Sequence, residues 1–188
     1  MLVFVYSKNA VLNFYSNPAD STPSINIPII EDADNKQLNL KLSNEQIQWF
    51  KPETFWDEEQ VLHFVCTSKK GNWYKVVVNS AQKKEFWIPS STNTHFFKWK
   101  NYLSNTALVE VKDTVKNAAH LLPTKLSPKL KSRPYKCLRI LKIRGKWAKL
   151  EFDQRTCANY NRNSFIAPKT AWVKWRNKEN FLINYFLR

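Results

Sequence analysis

The sequence predicts an all-β protein of two small antiparallel β-barrels with short helical turns, and three observations predict it. First, sliding the chain against itself aligns Gly71-Asn72-Trp73-Tyr74-Lys75-Val76-Val77-Val78-Asn79 with Gly145-Lys146-Trp147-Ala148-Lys149-Leu150-Glu151-Phe152-Asp153, so the chain carries an internal repeat. Second, both copies alternate large apolar and polar side chains, the period of two of a strand with one buried face. Third, each copy is followed by another aromatic strand, Glu85-Phe86-Trp87-Ile88-Pro89 and Ala171-Trp172-Val173-Lys174-Trp175.

The remaining elements follow in order. Strands are expected at Leu2 to Tyr6, Val11 to Tyr15, Ile25 to Ile30 and Leu62 to Cys66, then at Leu108 to Val111 and Lys136 to Ile143. Turn-forming runs such as Asn17-Pro18-Ala19-Asp20-Ser21 and Ser132-Arg133-Pro134 separate them. Asn79 to Glu85 reads as a compact hairpin, whereas Asp153 to Thr170 leaves room for a longer loop. Helical pattern is confined to Ser43 to Trp49, Thr94 to Leu103, and Asp113 to Leu122 with a cap near Asp113. The apolar run breaks at Ser104 to Ala107, which divides the chain into a domain over 1–104 and another over 106–188.

Composition narrows the function classes. Apolar residues at 43% and aromatics at 14% provide enough buried surface to offset the ordering entropy of a folded chain. Two glycines in 188 residues exclude phosphate-cradling loops and dinucleotide fingerprints, which need several. No cofactor is therefore expected. Cys66, Cys137 and Cys157 contain no Cys-x-x-Cys pair, so they read as three small half-buried side chains or as one disulfide with a free thiol. His63, His95 and His120 stand in no catalytic or metal-ligating spacing, and no enzymatic activity is expected. Glu53 and Asp57-Glu58-Glu59 lack the glycine and spaced acids of a calcium loop and read as a solvated turn, with no metal.

The net charge of +15 is unevenly placed. Residues 1–105 carry 11 Lys and 10 acids, a balance of +1, whereas residues 106–188 carry 12 Lys, 7 Arg and 5 acids, a balance of +14. Lys125, Lys129, Lys131, Arg133, Lys136, Arg139, Lys142, Arg144, Lys146 and Lys149 fall in one stretch without an acid. An anion-binding surface is expected there, with Lys125, Lys129, Lys131, Arg133, Lys136, Arg139, Arg144 and Lys146 as its residues. The alternative is a solvated face that only confers solubility. Arg133-Pro134-Tyr135-Lys136 and Arg144-Gly145-Lys146-Trp147 interleave cations with aromatic rings, the composition of a nucleic-acid surface.

Three landmarks of the first half, Asn13-Phe14-Tyr15-Ser16-Asn17-Pro18, Gly71-Asn72-Trp73-Tyr74-Lys75-Val76 and Phe86-Trp87-Ile88-Pro89, resemble those of bacterial SH3-like (Src-homology-3-like) domains. In that family a first strand enters a long loop, a Gly-x-Trp strand follows, and an aromatic strand closes the layout. Gly145 to Leu150, Trp172 to Arg176 and the tail Phe181 to Phe186 are similar to a second copy, with Leu122-Pro123-Thr124-Lys125 as its first landmark.

The resemblance implies tandem non-catalytic binding modules that recognise a peptide, a protein or a cell-wall polymer, often in the bacterial envelope. Tyr15, Trp73 and Trp147 would line the ligand groove, because extended polyproline-type peptides pack against such rings. The basic second half suits an anionic polymer or an anionic lipid surface. The alternative is an intracellular module that binds nucleic acid or a regulatory partner through that half. Met1 to Tyr6 are too few for a signal-peptide core or a membrane span. A periplasmic or envelope location thus requires a targeting segment ahead of Met1, and a cytoplasmic location is expected otherwise.

Overall fold

The strands of the computed structural model, which describes residues 1–56, 58–130, 138–152, 170–177 and 180–187, form small antiparallel sheets, and the chain divides into two compact units, Met1–Phe97 and Lys98–Arg188. Unit 1 contains β1 (Leu2–Val5), β2 (Val11–Phe14), β3 (Ile25–Glu31), β4 (Leu38–Leu40), helix α1 (Asn44–Trp49), β5 (Thr54–Trp56), β6 (Val61–Lys70), β7 (Trp73–Asn79), β8 (Lys84–Pro89) and β9 (Thr94–Phe96). Its main sheet runs β8-β7-β6-β1-β9. The long strand β6 lies at the middle of this path and links its two halves. Its first residues pair with β1 and β5, and its second half pairs with β7.

Unit 2 contains helix α2 (Trp99–Thr106), β10 (Ala107–Val111), β11 (Leu138–Arg144), β12 (Trp147–Phe152), β13 (Thr170–Lys174), β14 (Arg176–Asn177), β15 (Asn180–Phe181) and β16 (Ile183–Leu187). Its main sheet runs β13-β12-β11-β10-β16. The order matches that of unit 1 strand for strand. In both, a first strand lies between the last strand and a three-strand meander.

The correspondence extends to single residues. Gly71 and Gly145 each open a two-residue hairpin loop with φ of 55°, and only the first loop residue has positive φ, as in a type II′ turn. A Cβ at either glycine would meet nothing within 4 Å, so an alanine there costs only its left-handed strain. The β6–β7 register shifts between Cys66 and Ser68, and the β11–β12 register shifts between Ile140 and Lys142. The displacement that takes Gly71 to Gly145 also takes one shift onto the other. Lys75 faces Trp87 across β7–β8, and Lys149 faces Trp172 across β12–β13.

Alternation decides which side of each meander is core. Tyr74, Val76 and Val78 of β7 are buried, as are Ala148 and Leu150 of β12. In unit 1 they join Leu2, Phe4, Leu12, Phe14, Phe50 and Phe64. In unit 2, α2 packs Trp99 edge-on against Phe181 and Tyr185, at ring-centroid distances of 4.6 and 5.6 Å.

Several expectations are corrected. The sheets are antiparallel as expected, yet among the described residues no ladder joins the ends of either five-strand path, so neither closes into a barrel. The outer edge of β8 is met instead by one bridge from Tyr15, and that of β13 by one from His120. The helix expected from Thr94 begins only at Trp99, because Thr94–Phe96 pairs with Leu2, Val3 and Phe4 as an edge strand. No helix forms over Asp113 to Leu122. The Asp113 carboxylate accepts the backbone N–H groups of Val115 and Lys116 in a turn, and His120 is drawn into a strand bridge. The helix expected near Ser43 is present, closed by a capping box in which Ser43 and Gln46 bond each other's backbone N–H groups. No helix among the described residues is long and apolar enough to cross a membrane.

Candidate ligand-binding site

Tyr15 follows β2, where the chain meets β8. Its N–H donates to the Trp87 carbonyl at 2.9 Å, and the Trp87 N–H donates to the Tyr15 carbonyl at 2.8 Å. This exchange sets the Tyr15 ring against Trp73, with centroids 4.9 Å apart and planes at 83°. Trp73 opens β7 on the face opposite the core, and Pro89 lies across from it on β8. The corner is thus two half-buried rings and a proline. Beyond Tyr15 the chain turns back through Asn17, whose N–H donates to Asp20 at 2.8 Å, and Ser16 and Ser24 share a 2.8 Å hydroxyl contact. Lys75 and Glu85 form a 2.8 Å ion pair, and hydrogen bonding from Lys75 holds the Glu85 carboxyl below its ordinary pKa.

Unit 2 contains the same corner with two residues changed, His120 for Tyr15 and Lys174 for Pro89. His120 exchanges 2.8 Å backbone hydrogen bonds with Trp172 in both directions. Its ring stands edge-on to Trp147, with centroids 5.2 Å apart and planes at 83°. His120 therefore occupies the place that Tyr15 has in unit 1. Here the corner is covered: His120 is buried, its Nδ1 lies 2.9 Å from the Ser127 carbonyl, and the Leu130 N–H donates to the Ala119 carbonyl at 2.8 Å. Cations also stand over its rings, Lys174 at 5.6 Å from the Trp147 centroid and Arg144 at 5.6 Å from that of Trp172.

The structure brings Tyr15 and Trp73 together and places Trp147 in its own unit, beside His120, which the sequence offered only as a histidine in no catalytic or metal-ligating spacing. The expected landmark at Leu122 to Lys125 is instead part of the segment that covers His120. A histidine in place of a tyrosine removed the aromatic signal that would have located it. Of the cations expected to bind anions, Arg139 is paired, its Nε donating to Glu151 at 2.8 Å. Arg144 is exposed at the end of β11, Lys146 is exposed in the turn, and Lys125 and Lys129 are exposed on the covering segment. Lys131, Arg133 and Lys136 lie outside the described residues, as do Cys137, Cys157 and Asp57. Cys66 is a half-buried free thiol.

The histidines do not converge on one place: His63 is buried against Trp56, His95 is exposed on β9, and His120 belongs to the unit 2 corner. Among the described residues no group of three or more His, Cys, Asp or Glu side chains is disposed to hold a metal ion.

No protein-family model and no curated protein matches the chain. Among solved structures, an NlpC/P60 family protein from Bacillus cereus is similar at 12% identity and a TM-score of 0.25, covering all of this chain and 57% of that one. A likeness at that TM-score carries no argument about fold or function.

Proposed function

We propose that the chain is a non-catalytic binding protein of two tandem SH3-like modules, the first holding an extended peptide or a stretch of cell-wall polymer at its open aromatic corner, and the basic second suited to an anionic partner. The observation that carries this reading is the recurrence of one corner: a loop residue bonded through its backbone to the closing-strand tryptophan, with its ring set edge-on to the first tryptophan of the Gly-x-Trp strand. In unit 1 core packing alone does not require this, because Trp73 lies on the face turned away from the buried side chains, whereas Trp147 keeps the same geometry beside the buried His120 and Trp172. Rings fixed at right angles present a flat face and an edge, which suits a polyproline-type backbone that is already extended and loses little entropy on binding.

Unit 1 is the open corner, flanked by Pro89 and the Lys75–Glu85 pair. Screening the full chain against an array of extended, proline-containing peptides and soluble wall fragments tests the reading. Trp73→Ala is expected to weaken whatever binds unit 1 by about 2 kcal/mol or more, roughly thirtyfold, because a central aromatic anchor carries much of a small interface. Tyr15→Ala acts in the same direction. Binding that survives both substitutions places the ligand elsewhere and overturns the proposal.

A further inference from the structure

The two meanders are equivalent residue for residue, so unit 1 serves as an internal reference for unit 2. On the outer face of β6–β7–β8 stand Val65, Ser68, Lys70, Trp73, Lys75, Val77, Glu85, Trp87 and Pro89; the matching face of β11–β12–β13 presents Arg139, Lys142, Arg144, Trp147, Lys149, Glu151, Thr170, Trp172 and Lys174. The first face holds two cations and one acid, and these include the Lys75–Glu85 pair. The second holds five cations and one acid, and that acid is taken by Arg139. Both tryptophans are kept. Lys75 and Lys70 are matched by Lys149 and Arg144, while Val65, Ser68 and Pro89 give way to Arg139, Lys142 and Lys174, a change toward positive charge.

We propose that the outer face of β11–β12–β13, through Lys142, Arg144, Lys149 and Lys174 around Trp147, binds single-stranded nucleic acid. The inference rests on reading unit 2 as a module for an anionic partner, and it names that partner. Three features favour it. Among the described residues no acid pairs with these four cations. Their spacing is set by the sheet: Lys142 and Arg144 are two residues apart on β11, about 6.6 Å, a repeat close to that of phosphates along an extended strand. Lys142 and Lys149 face each other across one ladder, and Lys174 lies beside Trp147 on the next. The half-buried ring of Trp147 among these cations supplies an aromatic platform beside the charges, on which a base can stack. A single strand can lay its backbone along the cation rows and turn a base to that ring. A duplex keeps its bases stacked inside.

The test titrates the full chain with a labelled oligodeoxythymidylate, an abasic oligomer of equal length, heparin and phosphatidylglycerol vesicles, at about 50 and 200 mM salt. Four phosphate contacts predict a log–log salt slope of about −3, at about −0.7 per phosphate of a single strand. The pair Lys142→Ser and Arg144→Ser, both exposed, should reduce the slope to about half, while Lys41→Ser with Lys70→Ser, both exposed in unit 1, leaves it unchanged. The abasic oligomer should bind about tenfold more weakly than the thymidylate, reporting the stacked base. Each unit 2 substitution is also measured singly, with far-ultraviolet dichroism as the check on folding. Equal binding of abasic and thymidylate oligomers overturns the inference. Binding of heparin or vesicles without the oligonucleotide overturns it too, while leaving the anionic-partner reading of unit 2 standing; binding of none of the four removes both.

Discussion

Phe14→Ala is expected to lower the stability of the protein by about 3–5 kcal/mol, the range for deleting a fully buried aromatic ring. Phe14 has no exposed surface and is the hub of the unit 1 core. Its ring lies 5.9 Å from Phe50, 6.0 Å from Phe64 and 6.0 Å from Phe86, so it ties β2 to the loop after α1, to β6 and to β8 at once. Each of these pairs adds to the burial term. Because the neighbours are rings on separate elements, they cannot collapse into the space that alanine leaves, which puts the cost toward the upper part of the range. Tyr15 is the next residue, so the substitution should also loosen the bridge to Trp87 and weaken ligand binding at unit 1. Urea unfolding measures the first effect. Phe14→Leu, which keeps most of the volume, should recover much of the loss.

The second large effect is a dependence on pH that His63 creates. His63 is fully buried on β6 and stands edge-on to Trp56 with centroids 4.6 Å apart. Burial penalises its charged form and lowers its pKa from 6.5 to about 4. An unfolded chain takes up a proton on this ring as the pH falls through 6.5, while the folded chain does not until about 4. The unfolded state therefore binds more protons between those values, and stability rises with pH across the window. The contribution is fully present above about pH 6.5 and is lost on acidification, by up to about 3 kcal/mol at pH 4. His63→Gln and His63→Leu remove the titration without adding another. The difference in unfolding free energy between the natural protein and either variant should shift by that amount between pH 7 and pH 4, whereas a constant difference would contradict the account.

How much of this was legible in the sequence depended on whether the signal was local. Trp73–Asn79 and Trp147–Phe152 announced themselves by alternation and by a glycine ahead of each, and both proved to be central strands of their meanders. The matching of Trp87 with Trp172 was also readable, since the aromatic strand follows its repeat in both halves. Thr94–Phe96 was not. Three residues at a sheet edge owe their extended state to pairing with Leu2, Val3 and Phe4, a partner at the far end of the unit. His120 was hidden for the same reason: its role is set by two backbone hydrogen bonds to Trp172, which any residue type can make. The charge run gave the location of the cations along the chain but not their common face. Period-two alternation selects Lys142, Arg144 and Lys149, turns Ile143 inward, and adds Lys174 from a strand outside the run.

The central claim is that Trp73 and Trp147 are ligand-facing residues of two equivalent corners. Fluorine resonance spectra of protein labelled with 5-fluorotryptophan test it most directly, each signal being assigned by single Trp→Phe substitution and followed while peptides from the array, and then the oligodeoxythymidylate, are titrated into the full chain. The account predicts that the Trp73 signal moves with ligands of unit 1 and the Trp147 signal with ligands of unit 2. Trp175, buried with its indole N–H donating to the Gly145 carbonyl at 2.9 Å, should hold still. Ligands that bind while both corner signals remain stationary, or a complete array that moves neither, would contradict it.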